Sequence, residues 1–166
     1  MIKNLIYISF ICLFSFSCED DDICDESYTS RLRIDFKDIS SKNTITIDTL
    51  YVIQEFTDGS IGFIENATNE KNSKIFPNKS EIYIPLNLTG KKLSKLIFYD
   101  RYKSTITSEI EINYNLNETY VSKACGFKYT FTDLTTNLIK NNFINSITQN
   151  TNEINDEFSS HLTIFK

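Results

Sequence analysis

Tryptophan is absent from this chain of 166 residues, histidine occurs once, proline twice and glycine four times. Each shortage excludes something. Glycines too few and too scattered to cluster leave no phosphate-cradling loop, no dinucleotide fingerprint and no Gly-x-Ser-x-Gly elbow. One histidine, His161, and no Cys-x-x-Cys pair leave a structural zinc site without its four soft ligands. No Asp-x-Asp-x-Asp-Gly loop offers a calcium site. Basic residues are outnumbered 17 to 22, so the formal charge is 17 − 22 = −5. With no basic stripe the chain is a poor ligand for nucleic acid, whose affinity comes mostly from neutralised phosphates. No cofactor, metal or catalytic residue is expected.

Long apolar runs are also missing, except at the start. Leu5 to Phe16 is nearly all apolar, with Lys3 before it and Ser17-Cys18 after it. The chain then turns acidic at Glu19, Asp20, Asp21 and Asp22. A dozen residues at 1.5 Å each cannot cross about 30 Å of hydrocarbon. The pattern is that of a secretory signal over 1–17 ending in a lipobox, with Cys18 the lipid-bearing first residue of the mature protein. Ser15 and Phe16 depart from the usual lipobox residues; a soluble secreted protein and a retained anchor are the alternatives. Cys12 lies inside the discarded run. Four like charges in a row repel and stay solvated, so 18–30 reads as a tether. The acidic run also resembles the signal that exports Bacteroidota-type lipoproteins to the outer face of the outer membrane.

Loss of Lys3 with the signal takes the charge to 16 − 22 = −6. An acidic body is repelled by anionic lipid, which leaves the acyl chains on Cys18 as the expected membrane contact. Cys24 and Cys125 remain. In an oxidising compartment two leftover thiols usually pair. Closing a loop of about 100 residues would remove about 4.7 kcal/mol of unfolded-state entropy on the chain-entropy account. Two separate thiols are the alternative.

From residue 31 onward the hydrophobic period is two. Leu32, Ile34 and Phe36 alternate with Arg33, Asp35 and Lys37. Ile45, Ile47, Tyr51 and Ile53 read as one face of 44–53, and Ile82, Ile84, Leu86 and Leu88 as one face of 81–88. Pro85 cannot donate to a ladder, which marks that strand as an edge or bulged. Ile106, Ile110, Ile112 and Tyr114 oppose Thr105, Thr107, Glu109 and Glu111. Over 119–132, Val121, Cys125, Phe127, Tyr129 and Phe131 read as a single apolar face, with Gly126 permitting a bulge. Weaker strands fit 61–65, 73–76, 93–99, 142–149 and 160–165. Residues 134–148 read as a turn, with at most one short helix, then a strand. One apolar and one wet face per strand is the pattern of antiparallel sheets packed face to face. The expected fold is a single all-β domain over 31–166, an antiparallel, immunoglobulin-like β-sandwich; a closed barrel is the alternative.

Chemistry is sparse along these strands. Cys125 on an apolar face reads as a structural half-cystine, since a nucleophile needs a base and an electropositive setting. Glu109 and Glu111 read as a solvated face. Four Asn-x-Ser/Thr sequons, at Asn66, Asn78, Asn87 and Asn117, are expected by chance in so Asn- and Thr-rich a chain. Asp48-Thr49-Leu50 resembles an O-glycosylation motif of Bacteroidota exported proteins, with Thr49 the acceptor. Together the acidic run before Ile23-Cys24, the strand Arg31-Leu32-Arg33-Ile34-Asp35-Phe36 and the segment Tyr120-Val121-Ser122-Lys123-Ala124-Cys125-Gly126-Phe127 resemble an uncharacterised family of Bacteroidota lipoproteins, the domain of unknown function six-four-five-two. The resemblance implies lipoprotein status and architecture; it implies no activity.

The expectation is therefore a non-enzymatic binding or structural module, lipid-anchored in the outer membrane, with an envelope protein or glycan as partner. A carrier holding a small apolar ligand in a barrel, or an envelope hydrolase working through carboxylates, are the alternatives.

Overall fold

The computed structural model describes residues 29–62, 74–86, 92–101, 104–123 and 125–166. These form ten strands: β1 (Leu32–Lys37), β2 (Ile47–Phe56), β3 (Ile61–Gly62), β4 (Lys74–Lys79), β5 (Glu81–Ile84), β6 (Leu93–Tyr99), β7 (Thr107–Ser122), β8 (Gly126–Asn141), β9 (Ser146–Gln149) and β10 (Leu162–Phe165). The described residues contain no helix. One sheet has the order β5-β1-β10-β9; the other runs β3-β2-β6-β7-β8, with β4 also paired to β2. Every pairing is antiparallel except β1 with β10.

Period two drives this arrangement directly. On β1 the burial alternates without a break, so Leu32, Ile34 and Phe36 point into the core. Ile82 and Ile84 of β5 and Leu162 and Ile164 of β10 lie beside them in the same sheet. From the other sheet come Val52, Leu96, Phe98, Ile110 and Ile112, and both sets belong to one hydrophobic cluster. The core is filled from two inner faces, as in a β-sandwich, and the sheets do not close into a barrel. Gln54 is buried on the inner face of β2 and donates to the Pro85 carbonyl at 2.7 Å, tying one sheet to the other. Both prolines sit where no central ladder needs an amide: Pro77 in the outlying β4, and Pro85 just past β5, an edge strand as its sequence implied.

Four readings of the strands change. Ile106, expected to share the inner face with Ile110, is exposed, and Thr107, expected on the wet face, is buried, because the regular alternation of β7 begins only at Ser108. On β2 the inner face is Leu50, Val52 and Gln54, whereas Tyr51 and Ile53 are only half-buried. Tyr51 and Ile53 look as apolar as their neighbours, and only the position of the opposite sheet chooses between the faces. The stretch 134–141 is not a turn but the continuation of β8. The stretch 119–132 is not one strand: β7 ends at Ser122, a turn follows, and β8 begins at Gly126. Gly126 has φ of +69°, a backbone that side-chain-bearing residues rarely adopt, and the ladder shifts register there. The expected bulge is present, and it belongs to a hairpin turn.

Candidate interaction surface

Cys18, Glu19, Asp20, Asp21, Asp22 and Cys24 all lie outside the described residues, as do Asn66 and Asn87. Thr49 is half-buried on β2, opposite Pro77. Cys125 is in the β7–β8 turn, half-buried, where its amide donates to Ser122 Oγ at 3.0 Å. It is therefore at a hairpin tip and not on a core face.

That hairpin is the most distinctive surface. β7 and β8 are each 16 residues long. Near its base the pair is core: Ile110, Ile112, Tyr114, Phe131 and Leu134 are buried. Phe131 and Leu134 are three apart yet share the inner face, because the ladder slips between Asn113 and Asn115 and Asp133 turns to φ of +53°. Asn115 Nδ2 closes this bulge on Asp133 Oδ2 at 2.8 Å. Bulges of this kind bend a strand and raise its twist. Past it, residues 115–120 of β7 are all exposed.

This outer arm is two-sided. Opposite residues in the register share a face, so Leu116 and Phe131, Glu118 and Tyr129, and Tyr120 and Phe127 lie on one side. Asn117 with Thr130 and Thr119 with Lys128 lie on the other. The first side extends the core outward. Phe131 packs edge-on against Tyr114 with ring centroids 5.3 Å apart, and Tyr120 meets Phe127 in the same geometry at 5.5 Å. Yet Leu116 is 43 % exposed, and Tyr120 and Phe127 are each 59 % exposed. The Tyr129 hydroxyl donates to Glu118 at 2.8 Å, which raises its pKa. Sequence reasoning put Phe127 and Tyr129 in the core and passed over Leu116 and Tyr120. The signal available was the turn chemistry at Ser122 and Gly126, which divides the segment.

A second cluster lies on the outer face of β1. Arg33 reaches Asp35 at 3.0 Å, Glu81 at 2.7 Å and the Phe158 carbonyl at 2.7 Å. Arg31 makes a forked pair with Glu157 at 2.8 and 2.6 Å, which raises the arginine pKa and lowers that of the carboxyl. Arg31 also sits over the Tyr83 ring at 4.9 Å. His161 is buried, and its Nδ1 accepts from the Arg33 amide at 2.8 Å. Burial holds its pKa below the ordinary value, against the pull of Asp156 and Glu157. An accepting Nδ1 and a depressed pKa both describe a neutral ring with one lone pair committed. The cluster pins the 156–161 segment to β1. At its apex Phe158 is 90 % exposed, its amide accepted by the Asp156 carboxylate at 2.8 Å.

Carboxylates on the outer face of β7 are occupied or exposed singly. Glu109 pairs with Lys140 at 3.3 Å and Lys95 at 3.6 Å. Glu111 is exposed and lines a polar cleft of about 180 Å³ with Asn113, Thr135, Thr136 and Asn137. Among the described residues no three His, Cys, Asp or Glu side chains gather as metal ligands would, and no helix is long and apolar enough to cross a membrane.

No curated protein and no solved structure matches the chain. A family model does, over residues 61–166, which takes in both strands of the arm, the turn with Cys125 and the 156–161 segment. Strands β1 and β2 precede the matched segment, although each is central to its sheet. By that match the chain belongs to the family of unknown function DUF6452.

Proposed function

We propose that this protein is a lipid-anchored, non-enzymatic binding module of the cell envelope, held in the outer membrane through acyl chains on Cys18, with the β7–β8 arm as its binding surface. The observation that carries the reading is the arm itself. Leu116, Tyr120 and Phe127 stay exposed on one side of an ordered hairpin while the core behind them is filled. Exposed aromatics on a rigid element are the usual anchors of a binding surface. The charged side chains nearest to a catalytic arrangement hold the fold: Arg33 and His161 clamp a loop, and Glu109 is paired with lysines.

The reading includes a Cys24–Cys125 disulfide between the tether and the arm tip. The reach is right. Arg31 binds Glu157, and Ile154 pairs with Phe131 at the base of the arm, so Ser30 lies near that base. Six residues from Ser30 back to Cys24 extend at most about 20–22 Å. The arm from Phe131 to Gly126 is five residues, about 17 Å.

Fatty-acid labelling tests the anchor: the wild type should take up the probe and Cys18→Ala should not. Equal labelling of both, or of neither, would remove the anchored reading. The disulfide is read from the intact mass of the mature protein after alkylation under denaturing conditions. Cys24 and Cys125 should resist the reagent until a reductant is added; free alkylation of both without it would break the pairing.

A further inference from the structure

We infer that the aromatic side of the β7–β8 arm rests in the interfacial layer of the membrane that carries the Cys18 lipid, so that the protein is held by acyl chains and by its own side chains together. The inference rests on the anchored, Cys24–Cys125-linked reading above.

Length is the first argument. Cys24 is only six positions after Cys18. Fully extended, that stretch spans about 20–22 Å. A disulfide from Cys24 to the arm tip therefore keeps Cys125 within roughly that distance of the lipid-bearing residue, less than the hydrocarbon thickness of a bilayer at about 30 Å. The arm is the part of the described domain that this link would hold closest to the membrane.

Chemistry is the second. Aromatic residues with a polar tip favour the headgroup layer, where the ring is half-desolvated and the hydroxyl stays wet. Tyr120 and Tyr129 are such residues on one side of the arm, with the purely apolar Phe127 and Leu116 beside them. Glu118, which accepts from the Tyr129 hydroxyl, lies on the same side, Lys128 lies on the opposite side and Lys123 at the tip, so that residues 115–132 sum to 2 − 1 = +1 in a chain whose formal charge is −5. Lys123 is exposed in the turn. Anionic headgroups repel an acidic surface, and the small positive sum of the arm spares it that repulsion.

The absence of tryptophan gives a clean experiment. The mature acylated chain bearing Phe127→Trp is reconstituted in vesicles of phosphatidylethanolamine and phosphatidylglycerol with brominated acyl chains. Its acylation is confirmed by mass and its vesicle binding by flotation. Tyr120→Trp serves as a second reporter on the same face, and Phe158→Trp as an exposed aromatic elsewhere. The expected result is a blue shift and loss of emission to bromine for the arm reporters, with neither change for Phe158→Trp. Red, unquenched emission from both arm reporters on an acylated, vesicle-bound chain would overturn the inference while sparing the anchored reading. Blue but unquenched emission would also overturn it, because protein and not lipid would then cover the arm. A chain without acyl groups that fails to float would end both readings at once.

Discussion

The inner and outer halves of strands β7 and β8 belong to the same two runs of chain and differ in almost every physical respect. Near the base, Ile110, Ile112, Tyr114, Phe131 and Leu134 are buried under the opposing sheet. Beyond the bulge at Asp133, Leu116, Tyr120 and Phe127 have the same apolar character and stay exposed. The cross-strand ladder runs through both halves. Alternation and pairing are thus enough to make a strand, while burial needs a second layer, and the second layer ends before the hairpin does.

The contrast should break hardest at Phe131. Removing this fully buried ring with Phe131→Ala should cost about 3–5 kcal/mol. Phe127→Ala, four residues away on the exposed half, should change stability by no more than about 0.5 kcal/mol. Urea denaturation of both variants makes the comparison, and similar losses at the two sites would mean that the arm is covered in the folded protein.

The proposed link from tether to arm tip ranks next. Cys24→Ser with Cys125→Ser should lower stability by about 2–5 kcal/mol, with thermal unfolding as the measurement. Proteolysis in the double variant should begin within the arm or the tether and leave the sandwich intact; first cuts in β1 or β10 would contradict the division.

Loss of the Arg33 clamp should be smaller. Arg33→Ala strips the Phe158 carbonyl and two carboxylates of a charged donor, for a cost of about 1–3 kcal/mol. Hydrogen exchange should rise in 156–161 and stay unchanged in the β7–β8 arm. Increased exchange in the arm would show that the two surfaces are coupled.

A pH series sharpens the same division. His161 has a folded pKa below its ordinary 6.5, so its contribution is complete above that value and is lost as pH falls through it towards the folded value. Protonation would also cancel the Nδ1 acceptor used by Arg33. Asp156 and Glu157 have lowered carboxyl pKa values as well, which adds a second loss in more acidic solution. Stability should fall on acidification below about 6.5, and His161→Asn should flatten the first part of that fall. An unchanged slope in His161→Asn would place the pH dependence elsewhere.

Much of the sandwich is legible along the chain. Leu32, Ile34 and Phe36 alternate with charged residues and are buried as that pattern demands, and Pro85 marks an edge strand correctly. Where both faces of a strand are apolar the pattern goes silent, and the face of β2 carrying Tyr51 and Ile53 is read as the inner one. The arm fails for a related reason. Phe127, Tyr129 and Phe131 alternate as core residues do, and nothing in that spacing records that the opposing sheet stops at Phe131. The clamp around His161 is equally hidden, because Arg33 and His161 are 128 positions apart.

Scarce glycine and proline, few cations and sustained period-two alternation limit this chain to an acidic all-β domain without the familiar motifs for phosphates, dinucleotides or zinc. Those properties are local: each depends on neighbouring residues and on the chemistry of single side chains. Which apolar residues became core and which became surface depends on the distance from each strand to a layer made by other parts of the chain. Tertiary packing alone buried Phe131, left Phe127 uncovered by the rest of the chain and turned two equal strands into a core pair and an exposed arm.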